Sequence, residues 1–443
     1  MCSTPVDPRH LLSGLPVTLM SAGSETSRVL PGQRVIVLGA DHPSSLCIMQ
    51  SLGRRGVAAV AVDTDPAAKG FRSRYACSRH VIGPSLEDSW TLLERLRPGG
   101  GLVMATNDHY LTAIAQRAEA LSSSFVVPVP SWATMGPLLR RTRSLELARE
   151  AGLRIPRYFA FRDAAEMDAT VATLDPQRQY LVCRDDFSRP CVVDTVWARS
   201  VKVSGPGIAA IRRDCRDVHD RTGQLPVIVE IVPGASEDAV GVVTLVDRSH
   251  EVLLSYCLRR RPFATVRTDS RFIHPYDIGW SVRCESTVDP EAVAAARTLL
   301  RHVRYFGVAV VEFRRDARDG GLVFVKLDMR IDRAGNLSTA LGLDVAGATY
   351  DLFVHGKAPV ARAYPRGQSW LWLSHYLSDL AHNHGRVSVR REIADLVASA
   401  RRARAFAYLA RDDPRPFAID VSRWARQWTA RGGRWLGRRL GGR

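Results

Sequence analysis

The segment GVAVVEFRRDARDGGLVFVKLDMR, residues 307–330, constrains this chain more than any other. Residues 308–313 and 322–328 are apolar and β-branched, and Arg318-Asp319-Gly320-Gly321 between them supplies the residue types of a tight turn with positive φ. The pattern predicts two antiparallel strands joined by a hairpin, with Glu312 near the end of the first and Asp328 at the end of the second. Acids so placed are hard oxygen donors of the kind that suit Mg²⁺, which keeps several waters and bridges phosphate oxygens through one or two carboxylates. An ordinary hairpin with surface acids has the same pattern, so the segment takes its meaning from the rest of the chain.

At 443 residues the chain has room for two or three domains, and 46% hydrophobic residues without a low-complexity block imply a large buried core. No apolar run approaches the length that crosses a bilayer, and the N-terminus lacks the basic-then-apolar order of a secretory signal, which points to the cytoplasm. The eight cysteines include no CxxC pair, so they read as small core residues and not as a zinc site or a disulfide framework. A net charge of +17 would suit a nucleic-acid partner if it were concentrated on one stripe. Lysine occurs only at Lys69, Lys202, Lys326 and Lys357, and arginine is spread along the chain, so no nucleic-acid partner is expected.

Residues 1–32 carry Pro, Ser and Gly without periodicity and read as a flexible leader. From residue 33 to 128, strands at 35–39, 57–63 and 101–106 alternate with a helix at 44–55, the signature of an α/β domain with a parallel sheet. Asp63 sits where a ribose-binding acid could lie, but Gly39-Ala40-Asp41-His42-Pro43 contains no GxGxxG, so a structural βαβ domain lining a cleft is the expectation. Pro128-Val129-Pro130-Ser131 marks a boundary, with Ser131 as a helix cap. Leu138, Leu139, Leu145 and Leu147 then give a helical apolar face that Gly152 ends. Residues 129–360 continue as an α+β domain: a β-rich part from 180–183, a buried strand at 227–232 closed by Pro233-Gly234, and a hairpin of 240–246 with 252–258 across Asp247-Arg248-Ser249-His250. Residues 361–443 form a basic, helical extension. There Trp424, Trp428 and Trp435 interleave with Arg423, Arg426, Arg431, Arg434, Arg438 and Arg439, with no acid after Asp420. Such a helix either lies peripherally on an anionic membrane or covers the core with its tryptophans.

Taken in order, residues 35–39, Thr106-Asn107-Asp108, the run LLRRTRSLELAREAGLRIP ending at Pro156, Val229-Glu230-Ile231-Val232-Pro233-Gly234 and the two strands from Gly307 resemble the ATP-grasp superfamily. Within it they resemble the predicted carboxylate-amine ligase group, over about residues 34–416. Trp370-Leu371-Trp372-Leu373 and Asp412-Asp413-Pro414-Arg415-Pro416 look like the closing segments of that group. The resemblance implies an N-terminal parallel-sheet (pre-ATP-grasp) domain, an ATP-grasp fold and a helical C-terminal extension, with ATP and Mg²⁺ as cofactors. It also implies small-molecule carboxylate and amine substrates: the γ-phosphoryl of ATP activates the carboxylate, and the amine displaces phosphate from the acyl-phosphate. Positioned cations and metal ions serve such a reaction by stabilising charge as the phosphoryl group moves.

The same resemblance assigns roles to individual residues. Glu230, Ile231 and Val232 match the hinge that reads the adenine edge, and Glu237 matches the ribose-binding acid, with Asp238 as an alternative. Arg141 and Arg184 occupy the positions of two phosphate-binding lysines; they keep the charge but present a planar fork. The covering loop, usually rich in glycine and serine, reads DDFSRPCVV at 185–193 and has no glycine. Glu312 matches the first metal ligand. The family's second strand, Glu-x-Asn-x-Arg, reads Lys326-Leu327-Asp328-Met329-Arg330, so an ammonium replaces the bridging glutamate while Asp328 keeps a metal role and Arg330 a role on the acyl-phosphate or substrate. Arg260, in Arg259-Arg260-Arg261, matches a basic segment that grips a carboxylate or the moving phosphoryl group. Lys326 leaves two alternatives open: its ammonium stands in for one metal ion beside a single Mg²⁺, or the chain binds nucleotide without phosphoryl transfer.

Overall fold

Arg34–Leu38 (β1) is a run of aliphatic residues in which Val35, Ile36, Val37 and Leu38 are wholly buried, as a strand covered on both faces requires. β1 pairs in parallel with Ala58–Asp63 (β2), β2 carries Ala76–Val81 (β3) at its other edge, and Leu102–Ala105 (β4) completes a sheet of order β3-β2-β1-β4. β3 is not anticipated by the sequence, because Ser78, Arg79 and His80 give an edge strand without an apolar run. Gly39, just past β1, has φ 95°, and a Cβ there would lie 2.1 Å from Thr106 Oγ1. Only glycine lets the ends of β1 and β4 approach this closely.

The computed structural model describes residues 33–188, 201–204, 207–261, 282–382 and 388–440; the leader expected over 1–32 and residues 189–193 of the glycine-free loop lie outside the described residues. After the N-terminal sheet come the helices Trp132–Leu138 and Arg141–Glu150. Ser131 stands at the cap position of the first, but its side chain makes no capping bond. A small antiparallel sheet follows, built from Tyr158–Phe159 (β5), Tyr180–Arg184 (β6), Val201–Ser204 (β7) and Pro226–Glu230 (β8) in the order β5-β8-β6-β7. Its own core joins it to the helices Ala164–Ala172 and Ile208–Thr222 through Met167, Val171, Ile211, Cys215 and Val218.

The large sheet contains Ala239–Val246 (β9), Val252–Arg260 (β10), Arg283–Thr287 (β11), Gly307–Arg315 (β12), Leu322–Asp328 (β13), Ser369–Leu371 (β14) and Ala403–Phe406 (β15). Its order is β13-β12-β9-β10-β11-β14-β15, antiparallel except for β14 with β15. Both hairpins expected from the sequence form, with His250 at φ 68° turning β9 into β10 and Gly320 at φ 73° in the β12–β13 turn. Successive side chains of a strand point to opposite faces, and here the alternation feeds two cores shared with the N-terminal sheet. Val242, Val311 and Phe313 pack in one core with Ile36 and Leu38, while Val243 and Val310 pack in the other with Val35 and Val37.

Residues past 360 form the helices Leu373–His382, Val389–Arg402 and Arg415–Leu440, and also supply β14 and β15, which their helical pattern does not reveal. The last helix begins against the N-terminal domain. Arg423 donates to Asp41 at 3.2 Å and to Asp65 at 3.0 Å, and wholly buried Asp413 accepts from Gln50 at 3.0 Å and Ser73 at 2.6 Å. Trp424 is half-buried; the side chains of Trp428 and Trp435 lie outside the described residues. No helix among the described residues is long and apolar enough to cross a membrane.

Candidate active site

β12 and β13 place Glu312 directly opposite Lys326, and the next pair is Phe313 with Phe324, so Val325 is the extra residue of a β-bulge. Bulges re-aim neighbouring side chains. Lys326 and Asp328, two residues apart, share a face. The Lys326 ammonium lies 3.3 Å from Glu312 Oε1 and 2.6 Å from Asp328 Oδ2. Arg260, from the end of β10, donates to Glu312 Oε2 at 3.0 Å, and Arg330 lies 3.9 Å from Asp328 Oδ1 while its Nε lies 3.3 Å from Asp108. The result is one row of alternating charge, Arg260–Glu312–Lys326–Asp328–Arg330–Asp108, running from the large sheet to the end of β4.

Each side chain of the row is between 16% and 25% exposed, so the row is partly desolvated yet open to a ligand. Burial alone would push the Glu312 and Asp328 carboxyls up, but the Lys326 ammonium, with Arg260 beside Glu312 and Arg330 beside Asp328, outweighs it and holds both below the usual carboxylate range. For Lys326 burial pushes down and the two acids push harder up, so the ammonium is held above the ordinary lysine value. Arg259 and Arg261 do not join the row; both pair with Glu285, at 3.0 and 2.9 Å.

Asp108 is the member of Thr106-Asn107-Asp108 that reaches the row. Thr106 Oγ1 donates to Gly39 O at 2.8 Å, and the Asn107 side chain caps the helix Asp108–Gln116 by accepting from Tyr110 N at 3.0 Å. His42, just past β1, was not foreseen from the sequence and feels the charges of the row. It caps the helix Pro43–Arg54, and burial, then Arg330, Arg333 and Lys69, drive its imidazole well below the ordinary histidine value against the opposing charge of Asp328.

At the hinge, Glu230 ends β8 with only 6% of its surface exposed. Its Oε1 accepts from Arg178 and from Arg318, the latter at 3.1 Å. Neither arginine was foreseen, since they stand 52 and 88 residues away in the chain. Arg318 also grips wholly buried Asp316 at 2.6 Å, and Arg154 reaches Asp316 at 2.9 Å. Backbone N–H groups of Glu230 and Ile231 donate to Arg157 O and Gln179 O at 2.8 and 3.0 Å, and Val232 is buried. Glu237 lies in the short turn Ser236–Asp238 that leads into β9 and makes no ion pair among the described residues. Asp238 is engaged in that turn, accepting from Ala235 N at 2.6 Å.

Arg141 and Arg184 are brought together around Cys183, whose thiol is pushed up to about 11 by burial against the opposing charge of both guanidiniums. Arg184 stacks 4.9 Å over the Phe187 ring, and the Arg141 backbone donates to Asp185 O at 2.7 Å. Arg141 Nε is buried without a hydrogen-bond partner among the described residues. The start of the glycine-free loop is tied down, since Asp185 accepts from Thr142 N and Oγ1, both at 2.8 Å.

No protein-family description and no curated sequence matches the chain. Solved structures do. An ADP complex of N5-carboxyaminoimidazole ribonucleotide synthetase superposes with TM-score 0.59 at 13% identity, over 81% of this chain and 86% of that one. The L-amino acid ligase of Bacillus licheniformis gives TM-score 0.53 at 14% identity, over 75% and 76% of the two chains. The biotin carboxylase domain of the Hydrogenobacter thermophilus 2-oxoglutarate carboxylase, solved with MgADP, ADP and bicarbonate, gives 0.55 at 13%, over 76% and 73%. The chain has an ATP-grasp fold.

Tested against the MgADP of the carboxylase structure, the residues divide. The unsatisfied Arg141 Nε beside Arg184 suits a phosphate oxygen, which accepts from guanidinium donors. The Glu312–Asp328 pair does not suit a bridging Mg²⁺ while Lys326 stands between them. Among the described residues no group of three or more His, Cys, Asp or Glu side chains is placed to hold a metal ion.

Proposed function

We propose that this ATP-grasp protein is an ATP-dependent ligase that activates a small carboxylate and joins it to an amine. The observation that carries the reading is the row of alternating charge, which runs between the ATP-grasp sheet and the carboxyl end of β4, where ligands meet an open parallel sheet. In this reading Arg141 and Arg184 hold the phosphates, backbone groups at Ile231 and Val232 meet the adenine, and Glu237 takes the ribose hydroxyls. A carboxylate oxygen of the substrate attacks the γ-phosphorus and ADP leaves. The amine then attacks the acyl carbon, phosphate leaves, and the nitrogen gives up a proton. Arg260 and Arg330, at the two flanks of the row, are the cations that meet the developing charge on the transferring group.

A second reading, nucleotide binding without transfer, is favoured by one observation: the Lys326 ammonium is held at 2.6 Å from Asp328, where a ligating chain would be expected to hold metal. An ADP-release assay over paired panels of amino acids, small carboxylates and amines separates the two. The ligase reading expects ADP formation that requires both an acid and an amine. Nucleotide binding with no ADP from any pair would leave only the second reading, and no nucleotide binding at all would remove both.

A further inference from the structure

The ATP-grasp resemblance calls for a divalent ion at Glu312 and Asp328, and the side chains found there disagree with it. Every oxygen of the two carboxylates already faces a cation. Glu312 Oε1 faces Lys326 at 3.3 Å and Oε2 faces Arg260 at 3.0 Å; Asp328 Oδ2 faces Lys326 at 2.6 Å and Oδ1 faces Arg330 at 3.9 Å. A Mg²⁺ ligated by both acids would sit roughly 2 Å from one oxygen of each, in the space the ammonium fills.

We infer that Lys326 is a built-in replacement for the metal ion of this site: its ammonium permanently occupies the gap between Glu312 and Asp328, and the chain holds no divalent cation there. The placement is a property of the sheet. Lys326 is in register with Glu312 and two residues before Asp328 on the same strand, so the strand itself delivers the ammonium to the gap between the acids. The bulge at Val325 sets that register and so aims the Lys326 side chain at the two acids. A single positive charge also matches the row, in which three cations and three acids alternate; a dication added to the same gap would meet the cations Arg260, Lys326 and Arg330.

The inference relies on the ATP-grasp reading for the expectation of a metal, but its test needs no nucleotide. Mn²⁺ is titrated into the nucleotide-free full-length chain and the free ion is followed by electron paramagnetic resonance. Wild type is expected to show no stoichiometric site, whereas K326E, which restores an acid between Glu312 and Asp328, gains one that binds at least about tenfold more tightly and is lost again in K326E/D328N. A wild-type site that disappears in E312Q or D328N overturns the inference, and the wild-type measurement decides this even if K326E does not fold. A folded K326E that gains no site also overturns it, because the gap is then not a metal position. Failure of the ligase reading, seen as absence of ATP binding, leaves both outcomes readable.

Discussion

Glu230 and Glu312 are both carboxylates that the ATP-grasp resemblance sets against a nucleotide, and the fold holds them in different ways. Glu230 is 6% exposed and is clamped on one oxygen by Arg178 and Arg318, which come from distant parts of the chain. Through Arg318 the clamp continues to Asp316 and Arg154, so the hinge is tied to the β12–β13 turn. Glu312 is instead shared, one oxygen each, between the Lys326 ammonium of the adjacent strand and the Arg260 guanidinium at the end of β10, at a position that is about a fifth exposed. A desolvated acid held by several remote guanidiniums is a structural tie. An acid whose neighbouring-strand ammonium also serves a second acid, at a position a fifth exposed, is a site whose charge a substitution at that ammonium re-sets.

Removing the tie should have the largest effect on stability. D316A strips both arginines of a wholly buried partner and should destabilise by about 2–4 kcal/mol in urea unfolding, below the cost for a fully buried pair because Arg154 and Arg318 are over a third exposed. A loss under about 0.5 kcal/mol would mean that the clamp contributes nothing measurable. K326M leaves Glu312 and Asp328 facing each other without their shared cation and should cost about 1–3 kcal/mol, part of which E312Q/K326M recovers.

The same comparison sets a pH signature. Glu312 and Asp328 have folded values below their unfolded ones, so their contribution is present above about pH 4 and lost as pH falls. Lys326 has a folded value above its unfolded one, so its contribution is present below about pH 10 and lost as pH rises through the folded value. The stability difference between wild type and K326M should therefore be flat between these limits and shrink outside them.

Arg260, which alone of the three adjacent arginines enters the row, should be sensitive in function: R260A is expected to abolish ADP release, while R259A and R261A, each sharing Glu285, change stability by no more than about 0.5 kcal/mol and leave activity. Equal loss in all three variants would remove the distinction.

A separate pH limb lies away from both acids, at His375. Its ring is stacked 3.7 Å from Trp372, and burial, then Lys69 and Arg333, lower it to about 4. A histidine buried neutral is protonated first in the unfolded chain, so stability should fall as pH drops from about 6.5 toward 4, and H375N should make that limb shallower while His42 keeps the rest of it.

Much of this architecture was legible in the sequence. Continuous aliphatic runs announced β1, β9 and β12, because strands buried on both faces leave little choice of residue, and β10 and β13 followed as their hairpin partners. β3, β14 and β15 were not legible, since short strands of mixed composition are defined by the strands they join. At the site, the departure at Lys326 stood out against the Glu-x-Asn-x-Arg pattern of the family the chain resembles, and strand alternation left only one or two of Arg259, Arg260 and Arg261 able to point inward. The clamp on Glu230 could not, because Arg178 and Arg318 meet it only after the chain has folded across 52 and 88 residues. His42 escaped for a different reason: a lone histidine at a strand end carries no motif.

The most direct test of a site that supplies its own cation is calorimetric titration of ATP into the wild-type chain, once with excess EDTA and once with Mg²⁺. If Arg141, Arg184 and the Lys326 row hold the triphosphate, ATP binds in both and the two dissociation constants agree within about threefold. Binding that appears only with Mg²⁺ would contradict it.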